Sequence, residues 1–339
     1  MKVLVTGGAG FIGSNFVRYA LKQHSNWHVT TLDALTYAGR RETLHDVIDH
    51  PRHTFVHGNI TDAAVVDPLV QDADIIVHFA AETHVDRSIQ SAESFIQTDV
   101  IGTFVLLEAA RLNTALQRFI QISTDEVYGS VTTGKSRETD ALMPRNPYAA
   151  SKAAADRLAY SYWATYGVPV IVTRASNNYG PYQFPEKLIP LFVTNAIRGE
   201  TLPLYGDGLN VRDWLHVEDH CRAIDGLLGT GTNGETYNIG GGNELTNLDL
   251  THRILALLKL PATMIRPVTD RLGHDRRYAL DTRKLRLLGW RPRVDISTAL
   301  GETVDWYREN EWWWRPLTAT KVRPRGQLTE QQLKRLEDW

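Results

Sequence analysis

Cysteine is all but missing from this chain of 339 residues, where Cys221 stands alone. One thiol cannot close an intrachain disulfide, and a cysteine-rich metal site is excluded with it. No apolar run reaches the length needed to cross a bilayer. An excess of charge of one sign is missing too: the formal net charge is −2, which leaves no electrostatic footprint for nucleic acid or an anionic membrane. The chain opens Met1-Lys2-Val3-Leu4-Val5-Thr6-Gly7, which reads as strand and turn rather than as a leader segment. The expectation is a soluble protein, most simply cytoplasmic, with no metal site and no nucleic-acid or membrane partner. What the chain does have is 42% hydrophobic residues, enough to bury one large core or two.

Val3-Leu4-Val5 runs into Thr6-Gly7-Gly8-Ala9-Gly10-Phe11-Ile12-Gly13. Gly8, Gly10 and Gly13 fit one glycine spacing; Gly7, Gly10 and Gly13 fit another. In either register glycine permits a tight turn and close approach of backbone to a pyrophosphate. Ser14 to Gln23 reads as a helix whose N-terminus faces those phosphates. His28-Val29-Thr30-Thr31-Leu32 then ends in Asp33, twenty residues after Gly13. An acid there accepts from both ribose hydroxyls of an adenosine and repels a 2′-phosphate, which favours NAD over NADP. Further strands follow at Thr54–His57, Asp74–Phe79 and Phe119–Ile122, alternating with amphipathic helices, and imply a doubly wound parallel sheet. Asn59-Ile60 would lie near an adenine, and Phe79-Ala80-Ala81 offers small residues where a cofactor passes. A long helix from Ser91 to Arg111 has an apolar face including Phe95, Val100, Phe104 and Leu107, for sheet packing or for a second subunit.

The strand ending at Ile122 continues Ser123-Thr124-Asp125-Glu126-Val127-Tyr128-Gly129. Adjacent carboxylates at the end of a buried strand are costly unless they serve a purpose, and ligands of open parallel sheets bind at that edge. Pro147 opens a helix in which Tyr148 and Lys152, four apart, share a face. A nearby ammonium favours phenolate and lowers the tyrosine pKa toward the range of a general base.

These runs resemble the extended short-chain dehydrogenase/reductases, and among them the dTDP-glucose 4,6-dehydratase family. The resemblance covers nearly the whole length and includes Leu35-Thr36-Tyr37-Ala38-Gly39, Ala80 to Ser88, Ser123 to Gly129, Tyr148 with Lys152, Arg174 to Tyr182 and Glu186 to Pro190. Epimerases of similar fold keep the Tyr/Lys pair but not the Asp-Glu couple. The resemblance implies a Rossmann-type NAD-binding domain over 1–176, rejoined by segments about 210–240. It implies a smaller mixed α/β substrate domain from 177–209 and 241–318, and a tail over 319–339. NAD is expected to stay tightly bound and to be regenerated at each turnover. Its holders would be Gly7, Gly10, Phe11, Ile12, Gly13, Asp33, Ala34, Leu35, Thr36, Gly39, Asn59, Ile60, Phe79, Ala80, Ala81, Thr98, Tyr148 and Lys152.

The catalytic group implied is Thr124, Asp125, Glu126, Tyr148 and Lys152. Tyr148, assisted by Thr124, deprotonates the 4-hydroxyl of dTDP-glucose while C4 is oxidised. Glu126 removes the C5 proton and protonated Asp125 gives a proton to the departing 6-hydroxyl. Hydride then returns to C6. Thr83, Thr124, Asn177, Lys187, Leu188, Pro203, Tyr205, Arg212, Asn247, Arg271 and His274 are the expected substrate contacts, the two arginines suiting a pyrophosphate. Three positions depart from the family pattern: Asn59 for Asp, Thr83 for Ser, and Asp99 for Asn. The last puts the role of that side chain in doubt. Other readings stay open at this point: a dehydratase of another nucleotide sugar, a 4-epimerase, or a non-catalytic NAD-binding regulator. A homodimer through the 91–111 and 148–166 helices is a further expectation.

Overall fold

A computed structural model describes residues 1–319. The expected tail lies outside the described residues beyond its first position. Seven strands form one all-parallel sheet in the spatial order Thr236–Ile239, Val170–Ala175, Arg118–Thr124, Ile75–His78, Lys2–Thr6, His28–Asp33, His53–His57. The order reverses beside Lys2–Thr6, which creates the crevice where such sheets bind ligands. Helices Phe11–Gln23 and Val217–Thr230 cover one face, and Ala63–Gln71, Thr103–Leu112 and Pro147–Tyr166 the other. The strands are apolar because both faces are covered. Strand and helix cores lie within a few residues of the sequence expectation, and the first helix begins at Phe11, three residues earlier than expected.

A second core lies beyond the carboxyl edge of the sheet. There Val211–His216 pairs with Asn177–Tyr179 and Glu244–Thr246, and Leu202–Tyr205 pairs with Ile265–Val268. Val211–His216 therefore belongs to a small sheet, while the helix and strand that follow it join the large one. In the Trp312-Trp313-Trp314 run, Trp313 and Trp314 are buried in this second core and Trp312 is 49% exposed. Trp314 Nε1 donates to the Tyr307 carbonyl at 2.6 Å, so Trp313 and Trp314 serve packing.

The expected helix over Ser91–Arg111 is broken. Val85–Gln90 ends at an extended Ser91, and after a single turn the chain winds as a π-helix over Ile96–Gly102 before Thr103–Leu112 resumes the α-helix. The wider turn leaves the Asp99 carbonyl to accept from Thr103 Oγ1 at 2.5 Å. Apolar periodicity cannot show such a change in winding, and π turns occur often at functional sites. Thr103 also accepts from His78 Nε2 (3.0 Å), and His78 Nδ1 accepts from Thr6 Oγ1 (2.7 Å). This chain of donors fixes the π turn against the two central strands.

A buried strut joins the elements that flank the sheet edge. Arg174, 2% exposed, donates from Nε to Asp156 Oδ2 at 2.7 Å and from Nη1 to Tyr128 Oη at 2.7 Å. Asp156 lies on the Pro147–Tyr166 helix, and Tyr128 closes the 3₁₀ turn Asp125–Tyr128. Arg174→Met should cost about 3–5 kcal/mol in urea unfolding, because it takes the buried partner from Asp156 and leaves that carboxylate only the half-exposed Arg157. Arg174→Met/Asp156→Leu should recover most of that loss. Equal stability of the single and double variants would show that the pair is not the source of the cost.

Candidate active site

The glycine turn shows which register faces the cleft. Gly7 has φ +71°, and a Cβ there would lie 2.6 Å from the Ala80 nitrogen; a Cβ on Gly13 would strike the Gly7 carbonyl. Gly7, Gly10 and Gly13 face the cleft, whereas Gly8 packs under Thr31. Asp33 Oδ2 accepts from the Ala9 N–H (2.9 Å) and Oδ1 from the Leu35 N–H (2.8 Å). The carboxylate is thus pinned to the turn, with lone pairs left for a ribose. Burial pushes its pKa up, while those two N–H groups pull it down. Every sequence-predicted cofactor residue lines this cleft except Leu35, whose positive φ of 50° turns its side chain into the neighbouring apolar core. Asn59 Oδ1 already accepts from the Thr61 N–H at 3.0 Å, so one lone pair remains for an adenine amino group.

The long cleft suits a dinucleotide: a backbone cradle that a Cβ would fill, an acid at the adenosine end, and buried Ser123, Ser176 and Asn177 oxygens without partners at the other. At that end the Arg118–Thr124 strand passes into the Asp125–Tyr128 turn, which Thr124 Oγ1 caps by accepting from the Glu126 N–H (3.3 Å). Asn146 Oδ1 caps the next helix at the Ala149 N–H (2.8 Å), and its Nδ2 lies 3.3 Å from Glu126 Oε2. With Pro147 in the first turn, this start has a strong sequence signature. One asparagine therefore links the tyrosine helix to the acid pair. Tyr278 Oη also lies 3.4 Å from Glu126 Oε2.

Asp125 is 3% exposed, and its Oδ2 has no partner. Burial first, then the neighbouring Glu126 charge, pushes its pKa well above the usual carboxylate range. A raised pKa favours the protonated form, the form that the family resemblance implies for it. The expectation for Tyr148 is corrected. Burial, with Glu126 and Asp99, pushes its hydroxyl well above 10, and the Thr124 hydroxyl opposes that only in part. Lys152 is fully buried and its own pKa is lowered by desolvation, with Asp99 and Asp156 opposing. Sequence spacing shows the shared helix face but not the desolvation and the neighbouring carboxylates that raise the hydroxyl.

A second cleft opens from the same turn and shares Glu126, Asn177 and Lys187 with the first. Leu188, Pro203, Tyr205, Arg212, Asn247, Arg271 and His274 line it, and Thr83 and Thr124 sit in the cofactor cleft. Lys187 Nζ donates to the Thr83 carbonyl at 2.5 Å. Arg212 is held over the Tyr278 ring at 4.4 Å, and Arg271 lies 3.5 Å from Asp86. Sequence reasoning passed over Asp86, which also accepts from Tyr205 Oη at 3.0 Å. It passed over Glu186, which joins Tyr37 Oη (2.8 Å) to Arg87 (3.4 Å) across the cofactor cleft. His220 is a third omission; its Nδ1 lies 3.0 Å from Asn178 Oδ1, and burial lowers its pKa to about 3. Tyr37 and Glu186 stand within the motif runs, but only the fold shows that they meet.

Fold and site together define a nucleotide-binding protein of the extended short-chain dehydrogenase/reductase type. A family model described as GDP-mannose 4,6 dehydratase matches residues 4–303. The low-salt glycan biosynthesis protein Agl12 of Haloferax volcanii is 56% identical over 307 residues, covering 91% of this chain and 98% of that one. A dTDP-glucose 4,6-dehydratase of Streptomyces antibioticus is 54% identical over 332 residues, 96% of this chain and 97% of that one. The crystal structure of DesIV, a dTDP-glucose 4,6-dehydratase from Streptomyces venezuelae solved with NAD and dTDP bound, superposes with a TM-score of 0.91 at 53% identity. That match covers 94% of this chain and all of that one. The chain belongs to the nucleotide-sugar 4,6-dehydratase family.

Gly39 shows how tightly the adenosine end is built, because a Cβ there would lie 2.5 Å from Asp33 Oδ1. Gly39→Ala should displace the carboxylate and weaken NAD about tenfold, the scale of one charge-assisted hydrogen bond. Titration of NAD-stripped protein measures it, and unchanged affinity would show that Asp33 does not hold the ribose.

Proposed function

We propose that the protein converts dTDP-glucose to dTDP-4-keto-6-deoxy-glucose and water, as an NAD-dependent hydro-lyase. The observation that carries the reading is a buried Asp125, its Oδ2 without a partner, beside Glu126 at the same sheet edge as Tyr148 and Lys152. A dehydrogenase or epimerase needs the tyrosine and lysine, whereas elimination also needs a base and an acid. NAD, when bound, takes a hydride from C4 and returns it to C6.

The chain's own groups do the rest. Tyr148 accepts the 4-hydroxyl proton as its phenolate, a minority form at rest that the Thr124 hydroxyl favours. Lys152, four residues on along the same helix, supplies the positive charge that favours that phenolate. The 4-ketone acidifies C5, and Glu126, held by Asn146 and Tyr278, removes the C5 proton. Asp125 gives its proton to the leaving 6-hydroxyl, so water departs. Arg212 and Arg271 would take the pyrophosphate, Asn177 the sugar, and Lys187, Leu188, Pro203, Tyr205, Asn247 and His274 the nucleoside side. The sheet with its helices forms the cofactor unit, and 177–209 with 241–318 the substrate unit.

The apolar side chains left outside, Ile101 (40% exposed), Phe104 (43%) and Tyr166 (55%), lie on the Ile96–Leu112 and Pro147–Tyr166 stretches. They support a homodimer through these helices, which sedimentation equilibrium tests. Among the described residues no helix is long and apolar enough to cross a membrane.

Incubation with dTDP-glucose in deuterated water should give a 4-keto-6-deoxy sugar with deuterium at C5, read by NMR. Unchanged sugar or a galacto-configured product would overturn the reading, and turnover of the UDP or GDP sugars in preference would reassign the nucleotide. Glu126→Gln should accumulate NADH absorbance while product formation falls about a hundredfold or more, the usual scale for a lost general base. Normal turnover by that variant would remove Glu126 from the C5 step.

A further inference from the structure

Asp99 is 1% exposed and sits in the π turn, between the loop after the Ile75–His78 strand and the helix that carries Tyr148 and Lys152. Its Oδ1 accepts from the Glu82 N–H at 2.9 Å, and its Oδ2 lies 2.6 Å from Ser151 Oγ. Its carbonyl is anchored by Thr103, at the end of the donor chain that runs from Thr6 through His78. We propose that Asp99 is a positioning residue for the redox pair: its carboxylate ties the cofactor-cleft loop to the Pro147–Tyr166 helix and is the buried counter-charge that keeps Lys152 an ammonium.

Donor counting supports the two-state character of this link. The Ser151 hydroxyl carries one proton but has two acceptors in reach, Asp99 Oδ2 and the Tyr148 carbonyl at 2.8 Å. When Asp99 is ionised, the hydroxyl serves the carboxylate, the stronger acceptor. When Asp99 is protonated, its own O–H serves Ser151, and the serine proton turns to Tyr148. The charged and titratable groups facing Asp99 are Lys152 and Tyr148 on the helix and Glu82 on the loop. Lys152 in turn faces Asp156 and a neutral His78. Burial raises Asp99 to about 6 against the pull of Lys152, so the carboxylate is ionised at neutral pH. Ionised Asp99 is a stability burden: with the folded pKa above the usual 3.8, its contribution falls as pH rises from about 4 through 6. A residue retained for packing alone has no use for that burden.

Asp99→Asn separates the roles, because the amide oxygen still accepts from the Glu82 N–H, while the amide N–H donates to Ser151, whose own proton turns to the Tyr148 carbonyl. At pH 7.5 the variant should melt no lower than the parent protein. Its kcat for dTDP-glucose should fall at alkaline pH, with the alkaline limb moving down by about one pH unit as Lys152 loses its counter-charge. KM should stay within about twofold, because no substrate contact changes. An unmoved alkaline limb, or a lowered melting temperature, would overturn the proposal. The rate readout rests on the dehydratase reading, which fails separately, through an inactive parent protein. The melting comparison bears on Asp99 whichever sugar nucleotide is the substrate.

Discussion

A parallel sheet covered by helices on both faces has one edge at which to gather polar chemistry. Its interior accepts charge only at a desolvation cost of several kcal/mol per ion, so side chains that must ionise collect where the strands end. The register puts Thr6 level with His78, His78 with Gln121, and Thr124 with Ala175. From those neighbouring strand ends the chain passes into the glycine turn, the Ala80–Thr83 loop, the acid pair and Asn177. Everything the protein does depends on that alignment.

Within the edge, desolvation does most of the tuning. It raises Asp125 and Tyr148 and lowers Lys152, and the neighbouring charges add to the first two shifts and oppose the third. The two halves of the chemistry are coupled mechanically as well. Asn146 joins the tyrosine helix to Glu126, and Arg174 joins the same helix, through Asp156, to the turn that carries both acids. The tyrosine helix and the acid turn are thus held in one fixed relation.

The departures from the family pattern are absorbed in different ways. Asn59 keeps an acceptor, because its Asx turn uses only one lone pair. Thr83 offers its carbonyl to Lys187, a contact any residue could make. Asp99 is different, since a carboxylate brings a charge that an amide would not. Its neighbourhood of Lys152, Ser151 and Glu82 N–H gives that charge a use.

The amino-acid sequence by itself determined the order of strands and helices, the glycine turn with Asp33, the acid pair at a strand end and the tyrosine–lysine helix. Each of these is a local pattern: a spacing, a cap, or an apolar run of fixed period. Tertiary structure alone decided which glycine register faces the cleft, because Thr31 packs under Gly8 from another strand. It alone put Leu35 outside the site, brought Glu186 to Tyr37 and Arg87, and wound residues 96–102 as a π turn. It also reversed the expected direction of the Tyr148 shift, because pKa values follow burial and through-space charge. Those quantities exist only once distant parts of the chain have met.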